Sequence, residues 1–399
     1  MSRHLRLAHF SPLPPARTGI ADYSAELLPH LGRLAEVTLF SEQYDALDGT
    51  DLAAFPAFPV AAFGAQRWEH DLAFYHMGNS LYHVEIARSL ARYPGIMVLH
   101  DFGLHQLCAG QSLAGGKSAL YRREMAYALG ARGLSWAREV EMGMCEPPHF
   151  EVALNDRYLE VALGVLVHSR YARDLARQRV PWQEIGVVPA PIGLAQAASF
   201  RHRLNLPREA VIFGSFGLVS HTKELERVLL AFREVRRHVP DAHYLIVGEW
   251  QSHDVDVPAV VARLDLADAV TSIGFAPSLS DFLSWLATVD VVVNLRYPTV
   301  GETSATALRG LATGRPLIVN DHGWYRELPD TVCLKVAPQD DQALVDAMLR
   351  LARDPGLRRE MGQQARTYAQ EQHSPERAAA AYVAFAEHVL GCCTGRNRA

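Results

Sequence analysis

Four polar side chains follow an apolar run in the stretch DVVVNLRYPTVGETSATALRGLATGRPLIV, which begins at Asp290. Arg296, Glu302, Thr303 and Ser304 lie in or beside the loop between a predicted strand (291–293) and a predicted helix (303–313). With a second strand (316–319) this stretch is a βαβ unit, and such units bind ligands at the carboxyl ends of their strands. The N–H groups of a helix start and an arginine favour an anion, whereas a carboxylate and hydroxyls can hydrogen-bond hydroxyl groups. This combination suits a sugar attached to a phosphate.

Other strand ends carry further candidates. Lys223 follows a strand predicted over 211–216, at the start of a helix predicted over 221–238, where a point charge suits a phosphate. His100 and Asp101 end a strand at 96–99, and Asn79 lies in the turn after a strand at 71–76. For a single lysine, arginine or histidine the alternative is an ordinary structural or solvated side chain, and the strand-end position is what favours a role in binding.

Composition restricts the class of protein. The 399 residues are 49% hydrophobic and 21% charged, which is typical of a globular chain of two domains. A net charge of −5 argues against a nucleic-acid partner. The five cysteines form no CxxC pair, the N-terminus has no apolar stretch of signal-peptide length, and no run is long enough to span a bilayer. We therefore expect a cytoplasmic protein with reduced thiols.

The order of elements predicts two α/β domains. Strands predicted at 5–10, 35–40, 71–76, 96–99, 163–167 and 184–188 alternate with helices, and an interrupted helical stretch spans 103–156. The pattern then restarts with strands at 211–216, 244–247, 270–273, 291–293 and 316–319. Such alternation implies parallel sheets covered on both faces. We predict Rossmann-like domains at 1–195 and 196–373, a final segment at 374–399, and a ligand-binding cleft between the two domains.

The ordered motifs PPARTGIADYS, VLHD, GVLVHSRYA, GSFGLVSHTKELERVLLAF, YLIVGE, SIGFAP and GETSATALRGLATGRPLIV resemble those of the family 4 nucleotide-sugar glycosyltransferases. The resemblance covers nearly the whole chain. It implies a GT-B fold, with two Rossmann-like domains facing across a cleft, the donor site mainly in the C-terminal domain and the acceptor site mainly in the N-terminal one. It also implies retention of anomeric configuration, no essential metal ion or other cofactor, and a last helix that crosses back to the N-terminal domain.

The chain departs from the family pattern at the donor loop. Members typically carry two glutamates eight positions apart, and here Gly301 and Arg309 occupy those positions, with Glu302 one place away. An arginine common five residues before the lysine is replaced by Leu218, and Arg296 could take over its role. The loop LRYPTVGETS resembles a variant subgroup of the family.

The resemblance and the strand-end positions together give a set of candidate site residues. His100 is expected to contact the transferred sugar, Lys223 and Arg296 the diphosphate, and Glu302 the hydroxyls of the sugar or ribose. Glu302 could instead be a helix N-terminal acid, Gly19 a plain turn, and Phe275 a core residue. The predicted catalytic residues are His100, Glu302, Lys223 and Arg296; the predicted donor-binding residues are Gly19, Lys223, Arg296, Gly301, Glu302, Thr303, Ser304, Phe275 and Ala276; the predicted acceptor-side residues are Asn79 and Asp101.

Two motifs are set aside. Gly116-Lys117-Ser118 resembles part of a phosphate-binding loop, but the upstream glycine has the wrong spacing and no buried strand precedes it. Asp254-Val255-Asp256 matches an Asp-x-Asp metal signature in a polar loop, where chance is the better explanation.

The predicted function is a retaining glycosyltransferase that moves a sugar from a nucleotide-diphosphate sugar to a hydroxyl of a glycan, lipid-linked or small-molecule acceptor. The alternatives are a GT-B epimerase or phosphorylase and a non-catalytic sugar-nucleotide-binding subunit, which the missing second glutamate keeps open. Peripheral membrane contact through Arg122, Arg123, Arg132 and Arg138 is a further option, although a solvated helix face explains these arginines as well.

Overall fold

The computed structural model describes residues 4–114, 116–194, 197–250 and 254–393. Its strands are β1 (Arg6–Phe10), β2 (Glu36–Phe40), β3 (Ala57–Phe58), β4 (Leu72–Met77), β5 (Ile96–Leu99), β6 (Gly164–Val167), β7 (Ile185–Val187), β8 (Ile212–Phe216), β9 (His243–Val247), β10 (Val270–Gly274), β11 (Val291–Val293), β12 (Leu317–Asn320) and β13 (Cys333–Val336). Its helices are α1 (Gly19–Leu31), α2 (Phe63–Gln66), α3 (Val84–Arg92), α4 (His105–Ser112), α5 (Ser118–Leu129), α6 (Ala131–Glu141), α7 (Asp156–Val161), α8 (Arg170–Arg179), α9 (Leu225–His238), α10 (Val257–Arg263), α11 (Leu279–Leu286), α12 (Ala305–Ala312), α13 (Asp341–Arg353), α14 (Pro355–Gln372) and α15 (Pro375–Cys393).

The chain forms two compact units. The first contains the residues up to Pro191, the short segment Val300–Thr303 and the segment from Pro375, and the second contains Ile192–Thr299 and Ser304–Ser374. The predicted boundary at residue 195 and the last six residues of the predicted segment 374–399 lie outside the described residues. The helix of that segment, α15, packs against α1 in the first unit, where the Tyr382 and Tyr23 hydroxyls are 2.7 Å apart.

Each unit contains a wholly parallel sheet. The first has the strand order β3-β2-β1-β4-β5-β6-β7 and the second the order β10-β9-β8-β11-β12-β13. Their central strands are short runs of buried, mostly apolar residues, as a sheet covered on both faces requires. The predicted α/β class with two Rossmann-like domains is therefore confirmed.

The strand order defines a switch point in each sheet. In the first sheet the order reverses between β1 and β4, and in the second between β8 and β11. Open parallel sheets bind ligands outside the carboxyl ends of the strands at such points. The residues that follow β8 and β11 include Lys223 and Arg296, and β1 and β4 carry His9 and His76.

Two strands and one helix start differ from the sequence expectations. β3 and β13 are edge strands that were not predicted, because one has two residues in a proline- and phenylalanine-rich stretch and the other includes a lysine. The helix predicted from His221 begins only at Leu225. Glu224 has φ 52°, a left-handed conformation that ends a 3₁₀ turn at His221–Lys223 before the α-helix starts.

The donor loop also differs from its predicted assignment. Val300–Thr303 was placed in the C-terminal domain but clusters with the first unit. The Gly103 N–H donates to the Val300 carbonyl over 2.8 Å. Gly301 has φ 84°, and a Cβ there would lie 2.6 Å from the Cβ of Phe102, so only glycine allows this contact.

Within the described residues, no helix has both the length and the apolar character that crossing a bilayer requires. In the helical stretch considered for membrane contact, Arg122 pairs with Glu141 at 2.5 Å and Arg123 with Glu124 at 3.1 Å. Ion pairs of this kind are the expected state of a solvated helix face.

Candidate active site

Glycine turns follow two neighbouring strands of the second sheet. Gly217 follows β8 with φ 81°, and Gly248 follows β9 with φ 158°. A Cβ at Gly248 would lie 2.0 Å from the Gly217 carbonyl oxygen, so the two backbones meet at a distance that excludes any side chain. The carboxyl end of β8 therefore presents bare backbone to a ligand.

The amine of Lys223 lies beside this backbone. The amine donates a hydrogen bond to the carbonyl of Phe216, and a Cβ at Gly217 would lie 3.0 Å from Nζ of Lys223. That Cβ would also be 3.2 Å from Oγ1 of Thr306, at the start of α12. A cation, a glycine backbone and the first turn of a helix thus converge at the switch point, which is the composition of a phosphate site.

The charge of Lys223 is tuned by its surroundings. Burial, with a further contribution from the positive charge of Arg296, lowers the pKa of Lys223 to about 7. An approaching anion would stabilise the ammonium and reverse this effect.

Backbone hydrogen bonds fix the position of Arg296. Its N–H donates to Oδ1 of Asn320 at the end of β12, and the next N–H, of Tyr297, donates to the Thr222 carbonyl over 2.8 Å. Asn320 also donates to Glu224 over 3.2 Å, and Glu224 pairs with Arg227. The loop after β11 is thereby fixed to the turn that carries Lys223.

The start of α12 uses one of the two predicted hydroxyls for capping. Oγ of Ser304 accepts from the Ala307 N–H over 3.2 Å and from Nδ2 of Asn294 over 2.9 Å. Ser304 was predicted to bind the donor, and the structure shows it as the N-cap of this helix. Arg309, at the position of the usual second glutamate, is buried in the same helix with 5% of its surface exposed.

Gly301, Glu302 and Thr303 lie in the segment that clusters with the first unit. Oε2 of Glu302 accepts from the Val300 N–H over 2.9 Å. Glu302 precedes the N-cap Ser304 by two residues, so it is not an acid within the first turn of α12.

Phe275 and Ala276 follow β10. Phe275 is 43% exposed, which excludes the alternative that it is a core residue, whereas Ala276 is 8% exposed. An exposed ring at a strand end is a suitable surface for stacking with a nucleotide base.

In the first unit the strand ends carry histidines. Nδ1 of His76 and Nε2 of His100 are 2.9 Å apart, the rings of His9 and His76 are 4.4 Å apart, and those of His100 and His168 are 4.9 Å apart. Nδ1 of His83 lies 2.9 Å from the His76 carbonyl.

Four of these histidines, His9, His76, His83 and His100, are held neutral. Burial lowers the pKa of His9 to about 3 and, against a hydrogen bond to the His76 carbonyl, that of His83 to about 4. Burial and the neighbouring imidazoles lower the pKa values of His76 and His100 well below 6.5. A neutral imidazole can both donate and accept a hydrogen bond, as recognition of a hydroxyl group requires.

The two predicted acceptor-side residues are in contact. The Asn79 N–H donates to Oδ2 of Asp101 over 2.8 Å, and Oδ1 of Asn79 accepts from the Leu107 N–H over 3.1 Å. Gly19 is the first residue of α1, after the N-cap Thr18, and a Cβ on it would have no atom within 4 Å among the described residues. The space beside this helix start is open.

His9, His76, His168 and Tyr23 were not among the predicted site residues. The ring of Tyr23 is 4.7 Å from that of His100 and 5.1 Å from that of His168. Three of the histidines lie at or just after the ends of β1, β4 and β6, so the strand-end rule that identified His100 also applies to them.

The Asp-x-Asp motif has structural partners. Asp254 pairs with His221 at 3.0 Å, and Asp256 caps α10 by accepting from the Ala259 N–H over 3.0 Å. Neither contact requires a metal ion.

Comparisons with known proteins bear on the family and the fold of the chain. The profile of the family "Glycosyl transferases group 1" matches residues 208–354. The alpha-D-kanosaminyltransferase of Streptomyces kanamyceticus is 26% identical over 175 residues, which span 43% of this chain and 44% of that enzyme. The match thus covers less than half of the length of that curated relative.

Solved structures share the fold over nearly the whole chain. A sucrose-phosphate synthase from Thermosynechococcus elongatus has a TM-score of 0.68 at 18% identity, covering 98% of this chain and 100% of that one. The Anabaena protein HepE, solved in complex with UDP, has a TM-score of 0.66 at 14% identity with the same coverage. The fold is thus that of the GT-B glycosyltransferases, and the match to the glycosyl transferases group 1 family covers the region that contains β8–β13.

Proposed function

We propose that the protein is a retaining glycosyltransferase that moves a sugar from a nucleotide-diphosphate sugar to a hydroxyl group of an acceptor. The observation that carries the proposal is the convergence of the Lys223 amine, the Gly217 backbone and the first turn of α12 at the switch point of the second sheet. The match of this region to the group 1 family supports it.

The donor diphosphate is held by Lys223 and Arg296. Without a metal ion its charge needs cations and N–H dipoles, and both side chains lie at strand ends of the second unit. Phe275 lies against the base, and Glu302 hydrogen-bonds hydroxyls of the sugar or ribose. Gly19, Gly301, Thr303, Ser304 and Ala276 complete the proposed donor set.

The acceptor is a sugar-like or other hydroxylated molecule, recognised by uncharged or hydrogen-bonding groups of the first unit. His100 contacts the transferred sugar, and the hydrogen-bonded pair of Asn79 and Asp101 orients the acceptor. Glycans, lipid-linked sugars and small alcohols share this chemistry.

The transfer is a front-side displacement. The acceptor oxygen bonds to the anomeric carbon, the bond from that carbon to the phosphate oxygen breaks, and the leaving diphosphate takes the acceptor's proton. Glu224 is the carboxylate on the turn that carries Lys223. It pairs with Arg227 and accepts a hydrogen bond from Asn320, and these structural contacts give no reason to assign it as a nucleophile. The protein contributes positioning and charge stabilisation.

The experiment is a panel of UDP-, GDP- and ADP-sugars with candidate acceptors, scored by release of nucleoside diphosphate and by NMR of the product's anomeric centre. We expect release that an acceptor stimulates, and a product with the donor's configuration. Tight donor binding without release would identify a binding subunit instead, and an inverted product would contradict the retaining mechanism.

Glu302→Ala should keep the fold and lose most of the turnover. The matched control is Glu226→Ala, which removes an exposed glutamate that pairs with Arg263 on the second unit and should leave turnover unchanged. Near-normal activity of Glu302→Ala would contradict the role assigned to Glu302 in donor binding.

A further inference from the structure

Three side chains of different ligand chemistry meet on the first unit, on the outer face of α15. His388 and Cys392 are one helical turn apart on α15, and Glu184 directly precedes β7. Nε2 of His388 lies 3.0 Å from Oε2 of Glu184 and 3.8 Å from Sγ of Cys392. All three ligand atoms lie within 4.8 Å of one another.

The backbones that carry these side chains are fixed relative to each other. A Cβ at Gly186, in β7, would be 2.8 Å from the ring of Phe385, and a Cβ at Gly164, in β6, would be 2.8 Å from Val389. The two glycines thus let α15 lie directly on the sheet. The Glu184 carbonyl also accepts from the Val165 N–H over 2.8 Å, so the residue is tied into the sheet at its backbone.

The distances suit a tetrahedral ion. Zinc bonds of about 2.0–2.1 Å to histidine, about 2.3 Å to thiolate and about 2.0–2.2 Å to carboxylate place neighbouring ligand atoms about 3.3–3.6 Å apart. The observed 3.0 and 3.8 Å bracket that range for two of the three pairs, and the third pair lies within 4.8 Å, so side-chain rotations would bring the three atoms onto one ion. The alternative is a surface ion pair between His388 and Glu184 beside an unrelated thiol, but an ion pair gives no reason for the thiol to lie there.

We propose that Glu184, His388 and Cys392 bind a zinc ion, which fastens α15 to the β7 edge of the first sheet. The mixture of thiolate, imidazole and carboxylate favours a borderline-soft ion such as zinc over magnesium or calcium, which take oxygen ligands. Because the three side chains are exposed, water completes the coordination. The site has no part in the sugar transfer proposed above and does not depend on it.

The test uses Co²⁺ as a spectroscopic probe of the intact chain, reduced, treated with chelator and carrying no polyhistidine tag. We expect one Co²⁺ per chain, a thiolate-to-cobalt charge-transfer absorption in the near ultraviolet, and displacement of the cobalt by Zn²⁺. Absence of that absorption in the wild-type chain would overturn the proposal.

Variants identify the ligands. Cys392→Ser should abolish the charge-transfer absorption, and His388→Gln and Glu184→Gln should each weaken metal binding by at least about tenfold, since even groups that only support a ligand contribute about 10–100-fold. The matched controls are Cys393→Ser, the adjacent exposed thiol, and Glu387→Gln, an exposed glutamate of the same helix, which should bind cobalt as the wild type does. Circular dichroism of each variant checks the fold.

Two results would contradict the assignment. One is an absorption that persists in Cys392→Ser and disappears in Cys393→Ser. The other is an equal thermal shift on adding Zn²⁺ to wild type and to Cys392→Ser, because a metal that binds the native state through Cys392 stabilises only the chain that has this ligand.

Discussion

The two sheets have the same kind of switch point and opposite chemistry there. The second unit presents glycine backbone and two cations, Lys223 and Arg296, after strands that carry no charge at their ends. The first unit presents histidines that burial keeps neutral. Under the proposed function, this difference suits the second switch point to an anion and the first to an uncharged polar group.

The largest expected effect comes from removing the cation of the second unit. Lys223→Ala should lower kcat/KM for the sugar nucleotide by about 10²–10³-fold, because it removes a donor aimed at the charge that develops on the leaving diphosphate. Steady-state kinetics measure this loss. The control is Lys335→Ala, on β13, which removes an ion pair with Asp330 and should leave kcat/KM unchanged. Equal activity of Lys223→Ala and Lys335→Ala would show that the charge of Lys223 has no special role in the second unit.

Acid should destabilise the first unit through its neutral histidines. The pKa values of His9 and His83 are about 3 and about 4 in the folded chain, against about 6.5 when unfolded. The unfolded state therefore takes up protons first, and the free energy of unfolding falls by about 1.4 kcal/mol per pH unit for each histidine as pH drops from about 6.5 to about 4.

Calorimetric unfolding at several pH values tests this slope. His9→Gln should reduce it by about one histidine's share, whereas His238→Gln, at an exposed position of α9, should leave it unchanged. An unaltered slope in His9→Gln would mean that the ring is not kept neutral.

Donor binding should depend on pH through the second unit. Since the pKa of Lys223 is lowered to about 7 and a bound diphosphate favours the ammonium, binding takes up a proton above that pH. The dissociation constant for the nucleoside diphosphate should rise by up to about tenfold per pH unit between about pH 7 and 9. Titration calorimetry measures it, and Lys223→Arg, charged throughout, should flatten the profile. A flat wild-type profile would contradict the lowered pKa.

Gly217→Ala should affect both stability and donor affinity. Its φ of 81° costs a side chain about 1–2 kcal/mol, and the new methyl group would lie 3.0 Å from the Lys223 amine. Gly49→Ala is the matched control, with φ 79° and no described atom within 4 Å of the new Cβ. Both variants should lose stability in urea unfolding, and only Gly217→Ala should also lose donor affinity. Equal donor affinities of Gly217→Ala and Gly49→Ala would show that Gly217 does not line the proposed phosphate site.

The last prediction concerns the tyrosine pair of the first unit. Tyr382→Phe should cost about 1–3 kcal/mol, because it leaves the buried Tyr23 hydroxyl without its partner, which is 2.7 Å away. The double variant Tyr23→Phe/Tyr382→Phe should recover most of that loss. Urea unfolding gives the coupling energy, and additive losses would show that the hydroxyls do not act as a pair.

Sequence reasoning recovered the parts of the fold that local pattern determines. Buried runs such as 291–293 and 96–99 were predicted at their observed bounds, since β-branched residues between turn signals leave few alternatives. The edge strands β3 and β13 were missed because their burial is partial and their pattern weak. The two-domain α/β architecture followed from the order of elements.

The site was less predictable where tertiary contacts decide. Strand-end position identified His100 and Lys223, whereas His9 and His76, each one residue before the end of its strand, were not selected. The attachment of Val300–Thr303 to the first unit depends on contacts with Phe102 and Gly103, far away in sequence, which no local pattern encodes.

The position of α15 has a consequence for synthesis of the chain. Its buried face, which includes Ala378, Tyr382 and Val389, belongs to the first unit, whose first stretch of chain ends at Pro191. At a translation rate of about 5–20 residues per second, the roughly 200 intervening residues delay its arrival by about 10–40 s. During that interval the first unit leaves the ribosome with apolar surface uncovered, while the second can already be complete. The part of the protein that is made first is therefore finished last, and it is the part on which we expect a chaperone to act.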